Sequence, residues 1–177
     1  MLIAGNATLT KSLFLVKTTN GNFIAIDGET IIKKSVPTET DANVNTGAAG
    51  ATAVATFRLT LPRVTLAADV YALLRWQVTA AGGAASTGRI RLDLQKEGGA
   101  IAGVTVANGT TRALDAIAGP FDEVLHVRLP STDFAASDRL DFVVDVEVVN
   151  AVAGAATVRL RHDPATSGSE AIAEVNV

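Results

Sequence analysis

The sequence predicts an all-β protein, and three observations carry the prediction. The first is period two within residues 121–149. Phe121, Glu123, Leu125, Val127 and Leu129 share one parity, and Leu140, Phe142, Val144, Val146 and Val148 share another. Side chains that alternate between two faces belong to strands. The second is composition: hydrophobic residues make up 48% but aromatics only 5%, an Ala, Val and Leu excess that suits many thin strands better than a thick aromatic core. The third is punctuation by turn residues, with no stretch whose period demands a long helix. Residues 65–69 and 134–137 read as single turns at most.

Residues 1–34 read as a small N-terminal unit. Leu13-Phe14-Leu15-Val16 and Phe23-Ile24-Ala25-Ile26 are β-prone runs joined across Thr18-Thr19-Asn20-Gly21, and Asn-Gly supplies the positive φ of a tight hairpin turn. Asp27-Gly28 offers a second turn before Thr30-Ile31-Ile32. Strands this few need support, so the hairpin is expected against the main domain or against another subunit. Its apolar residues Leu13, Phe14, Leu15, Val16, Phe23, Ile24 and Ile26 are the candidate interface. Residues 35–52 are poor in bulky apolar side chains and rich in Thr, Asn, Gly and Ala, which makes them the expected linker.

The remainder, residues 53–177, reads as eight strands: 53–61, 70–79, 89–95, 100–107, 121–129, 139–149, 156–162 and 171–177. Pro62 ends the first. The second puts Val70, Ala72, Leu74, Trp76 and Val78 on one face, with Trp76 as a core anchor. Arg89 to Gln95 alternates charge and hydrophobe, the pattern of a half-exposed strand. Gly103 disturbs the fourth and suggests a bulge. Residues 108–120 form a long loop whose Leu114 and Ile117 cap the sandwich end or meet a partner. Pro130 stops the fifth strand, and Ser131-Thr132-Asp133 and Ser137-Asp138 turn the chain back. Eight antiparallel strands in two sheets is the jelly-roll number, with an immunoglobulin-like order as the competing topology. The expected fold is thus an eight-stranded antiparallel jelly-roll-like sandwich with a small N-terminal β-hairpin unit.

Formal charge is −3, and no Lys/Arg cluster stands out, so nucleic acid is a poor candidate partner. The absence of cysteine removes disulfides, thiolate zinc sites and thiol catalysis together. Residues 1–17 lack a basic segment before their apolar residues and a sustained apolar core, so no cleaved signal and no membrane span is expected.

Catalysis has little to work with. The two histidines are His126, which shares a strand face with Asp122 and Arg128, and His162, which precedes Asp163-Pro164. A serine nucleophile would need one of them as base. Asp133, Asp138 and Asp141 are close enough in sequence to suggest calcium, but Asp138-Arg139 reads more simply as a capping and salt-bridging pair. Asp141, Asp145 and Glu147 fall on the outward face of their strand, where charge keeps a sheet soluble. No phosphate or dinucleotide fingerprint occurs. The expectation is a non-enzyme without cofactor or metal.

Residues 129–148, followed by residues 157–169 and a closing strand, resemble the C-terminal half of β-sandwich structural proteins of tailed bacteriophages and related viruses, above all capsid decoration and head-fibre proteins. The resemblance rests on a strand, a short polar turn ending in a small residue plus Asp138-Arg139, an alternating strand and the His162-Asp163-Pro164 turn. Ser137 stands where glycine is expected in such turns. The resemblance implies a non-enzymatic virion component, made in the host cytoplasm and placed on the capsid surface, with the major capsid protein as partner and homotrimeric assembly. Two other classes stay open. A carbohydrate- or receptor-binding module would expose Trp76, Tyr71 or Phe134; a single jelly-roll shell protein would build closed shells unaided.

Overall fold

Alternating side chains build thirteen strands in the computed structural model, which describes the backbone of residues 8–18, 21–26, 38–162 and 170–176 and the side chains of residues 39–161. In chain order they are β1 (Thr8–Thr18), β2 (Gly21–Ile26), β3 (Thr38–Asn45), β4 (Gly50–Thr60), β5 (Val64–Ala80), β6 (Thr87–Lys96), β7 (Gly99–Ala100), β8 (Ala107–Asn108), β9 (Arg112–Ala113), β10 (Ala118–Phe134), β11 (Arg139–Asn150), β12 (Ala155–His162) and β13 (Glu170–Asn176). No helix occurs among the described residues.

Antiparallel pairing gives two main sheets. One runs β3-β12-β5-β10, and the other runs β4-β11-β6, with β7, β8 and β9 as two-residue additions to β6. The long β5 serves three partners. β10 takes one edge; β12 takes Arg75–Ala80 of the other, and β13 takes Ala67–Leu73 beside it. β13 then pairs with β1, and β1 with β2. A single parallel contact, Asn22↔Phe57 and Phe23↔Arg58, brings β2 to β4.

The two sheets bury their facing parities in one core. Val70, Ala72, Leu74, Trp76 and Val78 of β5 meet Phe57 of β4, Ile90, Leu92 and Leu94 of β6, and the even residues from Leu140 to Val148 of β11. Trp76 is fully buried, with its ring centroid 5.0 Å from that of Phe121, as its place among small aliphatic neighbours predicts.

The strands differ from the sequence expectation at four places. Residues 65–69 are strand: Leu66 and Ala68 continue the buried parity of Val70 and Ala72, so β5 begins at Val64. β10 likewise continues through Pro130 to Phe134, past a bulge between Leu129 and Thr132. Residues 100–107 are not one strand. Glu97 and Gly98 both have positive φ, and after Ala100 the chain leaves β6 until Ala107, while Ile101 and Val104 pack on the core edge. Finally, Thr38–Asn45, within the expected linker, is the strand β3. It pairs with the whole of β12 and buries Ala42 and Val44. In the N-terminal unit β1 and β2 pair as a hairpin should; residues 27–32 lie outside the described residues.

Candidate functional site

Polar side chains gather at a cleft between strand ends and around the buried Glu123. The cleft, of about 940 Å³, is formed by Arg63, Val64, Thr65, Lys96 and residues 133–136. It sits where β5 begins, β6 ends and β10 turns into β11. The Lys96 ammonium lies 2.9 Å from Asp138 Oδ2, donates to the Asp133 carbonyl oxygen at 2.8 Å, and stands 5.4 Å from the Phe134 ring centroid. Thr65 Oγ1 donates to Asp133 Oδ1 at 2.5 Å, and the Ala135 amide donates to Asp138 Oδ2 at 2.8 Å. The Lys96 ammonium first, and the Ala135 amide second, hold the Asp138 carboxyl below its ordinary range. A general base needs a group free to take a proton; here each carboxylate is tied to a turn.

Asp138 and Arg139 were expected to pair with each other. The structure corrects this: Asp138 goes to Lys96, and Arg139 goes to Glu97, with Nη2 2.8 Å from Oε2. Arg139 also depresses the Glu97 carboxyl, through its side chain first and its amide second. The calcium grouping dissolves for the same reason. Asp133 binds Thr65, Asp138 binds Lys96, and Asp141 lies on another face with Arg58 3.5 Å away. Among the described residues no group of three His, Asp or Glu side chains could hold a metal ion.

The second cluster centres on Glu123. Its parity places it among core residues, and it is buried at 8% exposure. Thr110 donates to Glu123 Oε2 through its amide at 3.3 Å and its hydroxyl at 3.1 Å, and Arg112 Nη2 lies 3.1 Å from Oε1. The Arg112 guanidinium also covers the Phe121 ring at 4.8 Å. A buried carboxylate must be paired, and this one is paired by a loop. Glu123 therefore pins residues 110–112 against β10, while Gly109 N–H donates to the Ile90 carbonyl of β6 at 2.8 Å. In the sequence Glu123 shares the parity of Phe121, Leu125, Val127 and Leu129, but its partners belong to a segment with no periodic signal.

The remaining sequence candidates fall into place as follows. His126 is exposed, hydrogen-bonded to Asp69 at 2.8 Å and stacked on Tyr71 at 4.6 Å. Asp141 and Asp145 were read as solvated charges; they are buried instead, because β11 is central, not an edge. Arg91 binds Asp145 at 2.7 Å and Glu147 at 3.1 Å, and Arg89 binds Glu147 at 2.6 Å. Hydrogen bonding to Asp145 raises the Arg91 guanidinium further above its ordinary value. Of the aromatic trio, Tyr71 is 43% exposed, whereas Trp76 and Phe134 are buried. In the end loop Leu114 is buried and Ile117 is exposed. The backbones of Leu13, Phe14, Leu15, Val16, Phe23, Ile24 and Ile26 lie in β1 and β2; their side chains, with that of His162 and the residues Asp163 and Pro164, lie outside the described residues.

Neither protein-family models nor curated proteins match the chain. Among solved structures it is similar to a CocE/NonD family hydrolase from Staphylococcus aureus, with a TM-score of 0.57 and 11% identity, over 97% of this chain and 37% of that one. At that identity the likeness is one of fold. This chain spans 37% of the hydrolase's length.

Proposed function

We propose that this chain is a non-enzymatic structural protein of a virion, attached to the outside of a viral head, where it decorates and stabilises the capsid. The observation that carries the reading is the destination of its polar side chains. Among the described residues Glu123, Asp138, Asp145 and His126 are suited to acid–base work, and each is bonded to a partner in a loop, a turn or a neighbouring strand; Asp141 lies buried beside Arg58 at 3.5 Å, with one oxygen that has no hydrogen-bond partner. A side chain held this way serves architecture.

The sandwich itself reads as a jelly roll. The order β3-β12-β5-β10 in one sheet and β4-β11-β6 in the other supports that topology over the immunoglobulin-like one. The short pieces β7, β8 and β9 stand in for an eighth strand beside β6. In this reading the first strand is β3; β13 is added to β5, and β1 and β2 continue outward from β13. Strands added to a sheet through backbone ladders are a known means of attachment, and the hairpin carrying Leu13, Phe14, Leu15, Val16, Phe23, Ile24 and Ile26 is the proposed contact with the major capsid protein.

Mixing the purified chain with empty capsids and sedimenting the particles tests this directly. The chain is expected to co-sediment, and deletion of residues 1–34 is expected to abolish co-sedimentation while leaving cooperative unfolding in place. Equal particle occupancy by the deleted chain would sink the attachment model. A second reading, a sandwich carried as one part of a larger protein, rests on the 37% of the hydrolase chain that shares this fold; failure of the full chain to bind any capsid favours it.

A further inference from the structure

The longest open edge among the described residues belongs to β10. One side of this strand pairs with β5; no described strand pairs with the other, and no described loop donates a backbone hydrogen bond to it. Open edges invite pairing, and proteins restrict them with prolines and bulges. β10 carries both, at both ends: Pro120 in the irregularity between Ala118 and Phe121, and Pro130 in the one between Leu129 and Thr132. Between the prolines lies a regular window of residues 121–129 whose midpoint is Leu125.

That window is complementary to itself. When two copies run antiparallel with Leu125 on the two-fold axis, Pro120 faces Pro130, Asp122 faces Arg128, and Val124 faces His126. Asp122, Val124, His126 and Arg128 are exposed, and Pro130 is half-buried; Val124 is 70% exposed, unusual for a valine in a strand flanked by a neighbour. The charges are set for the match. Arg128 stands opposite Asp69 within the sheet, but the Asp69 carboxylate is bonded to His126. Asp122 is bonded to Arg75 at 2.6 and 2.7 Å, which holds its carboxyl ionised by lowering its titration. A second copy would bring Arg128 to the far side of that carboxylate and continue a row of alternating charge. Residues 110–112 meet β10 through the side chains of Glu123 and Phe121, which belong to the inward parity and not to the outward row.

We infer that β10 is an interaction surface for a second copy of this chain, pairing edge to edge about Leu125 to fuse the β3-β12-β5-β10 sheets of two copies into one. A two-fold contact of this kind is closed and self-limiting. It is separate from capsid attachment, which the proposed function places on the N-terminal hairpin.

The test uses the full chain in solution. Sedimentation velocity over a concentration series is expected to show a monomer–dimer equilibrium. Val124→Lys and Arg128→Asp, both exposed changes, are each expected to raise the dimer dissociation constant at least about tenfold, with unfolding curves unchanged. Because the chain has no cysteine, Val124→Cys gives a single attachment point, and a short bismaleimide should convert it to covalent dimer, while Ala51→Cys on β4 should stay monomeric under the same treatment. A chain that is monomeric at its solubility limit overturns the inference, as does an oligomer indifferent to both charge-altering substitutions. In either case capsid binding is measured independently. Binding that persists leaves the decoration reading standing; binding that fails in a chain that dimerises through Val124 removes that reading and keeps this one.

Discussion

The two ends of the sandwich solve the same problem with different chemistry. At one end, loops between β3 and β4, β5 and β6, and β11 and β12 meet backbone to backbone. Thr46 N–H donates to the Gly154 carbonyl at 3.0 Å, Val152 N–H to Thr46 at 2.7 Å, and Gly82 N–H to Leu114 at 2.6 Å. Gly83 N–H closes the knot on the buried Thr46 hydroxyl at 3.1 Å. At the other end backbone bonds also occur, from Leu61 N–H to the Asp138 carbonyl at 2.9 Å and from Ser137 N–H to that of Leu61 at 3.0 Å, but long charged side chains are added to them, Lys96 to Asp138 and Arg139 to Glu97. Close backbone approach requires small residues and tolerates little; charged ties reach further, leave a cleft, and respond to pH.

Substitutions should separate the two ends by size of effect. The largest is expected at Gly83, where a Cβ would stand 2.5 Å from the Val152 carbonyl oxygen and closer still to that of Ala153. Gly83→Ala should cost about 3 kcal/mol, read from urea unfolding followed by emission of the single, buried Trp76. Thr46→Val comes next, at about 1–2 kcal/mol, because it leaves the buried Gly83 amide without an acceptor. At the cleft end the sign reverses for one change. Ser137 has a φ of 74°, a left-handed conformation that strains any residue with a Cβ, so Ser137→Gly should add about 1 kcal/mol. A fall in stability would mean that its side chain does something the strain argument omits.

The smallest effect is expected from Asp138→Ala, and it should depend on pH. A carboxyl whose folded titration lies below its ordinary 3.8 stabilises the fold above that value and loses the contribution as pH falls through the folded value. The gap between wild-type and variant melting temperatures should therefore be open at neutral pH and close in strong acid. A gap of constant size would assign the effect to packing instead of charge.

What could be read from the sequence follows the same division. Residues in long, regular strands announced themselves: the parity of β10 and β11 was visible, as was the burial of Trp76. β3 was hidden because a strand at the sheet edge buries only Ala42 and Val44, and the Thr, Asn and Asp residues around them also suit a loop. The start of β5 was hidden because Ala67 and Ala68 carry no strand preference of their own. The pairing of Asp141 and Asp145 depends on β11 lying between β4 and β6, and strand order is a property of the whole chain. The latch at Glu123 and the ties at Lys96 and Arg139 were out of reach for that reason as well.

The pairing of β3 with β12 also sets a clock. Asp41 and Arg159, which bond at 2.6 and 2.8 Å, are 118 positions apart. A ribosome adding about 5–20 residues per second needs roughly 6–24 s to cover that distance. Throughout that interval β3 has emerged and its partner has not been made, and the β12-facing edge of β5 waits as well. Contacts this distant in sequence make a fold slow to complete, so each new chain passes through a period in which its first sheet lacks an inner strand and must be kept from pairing with its neighbours.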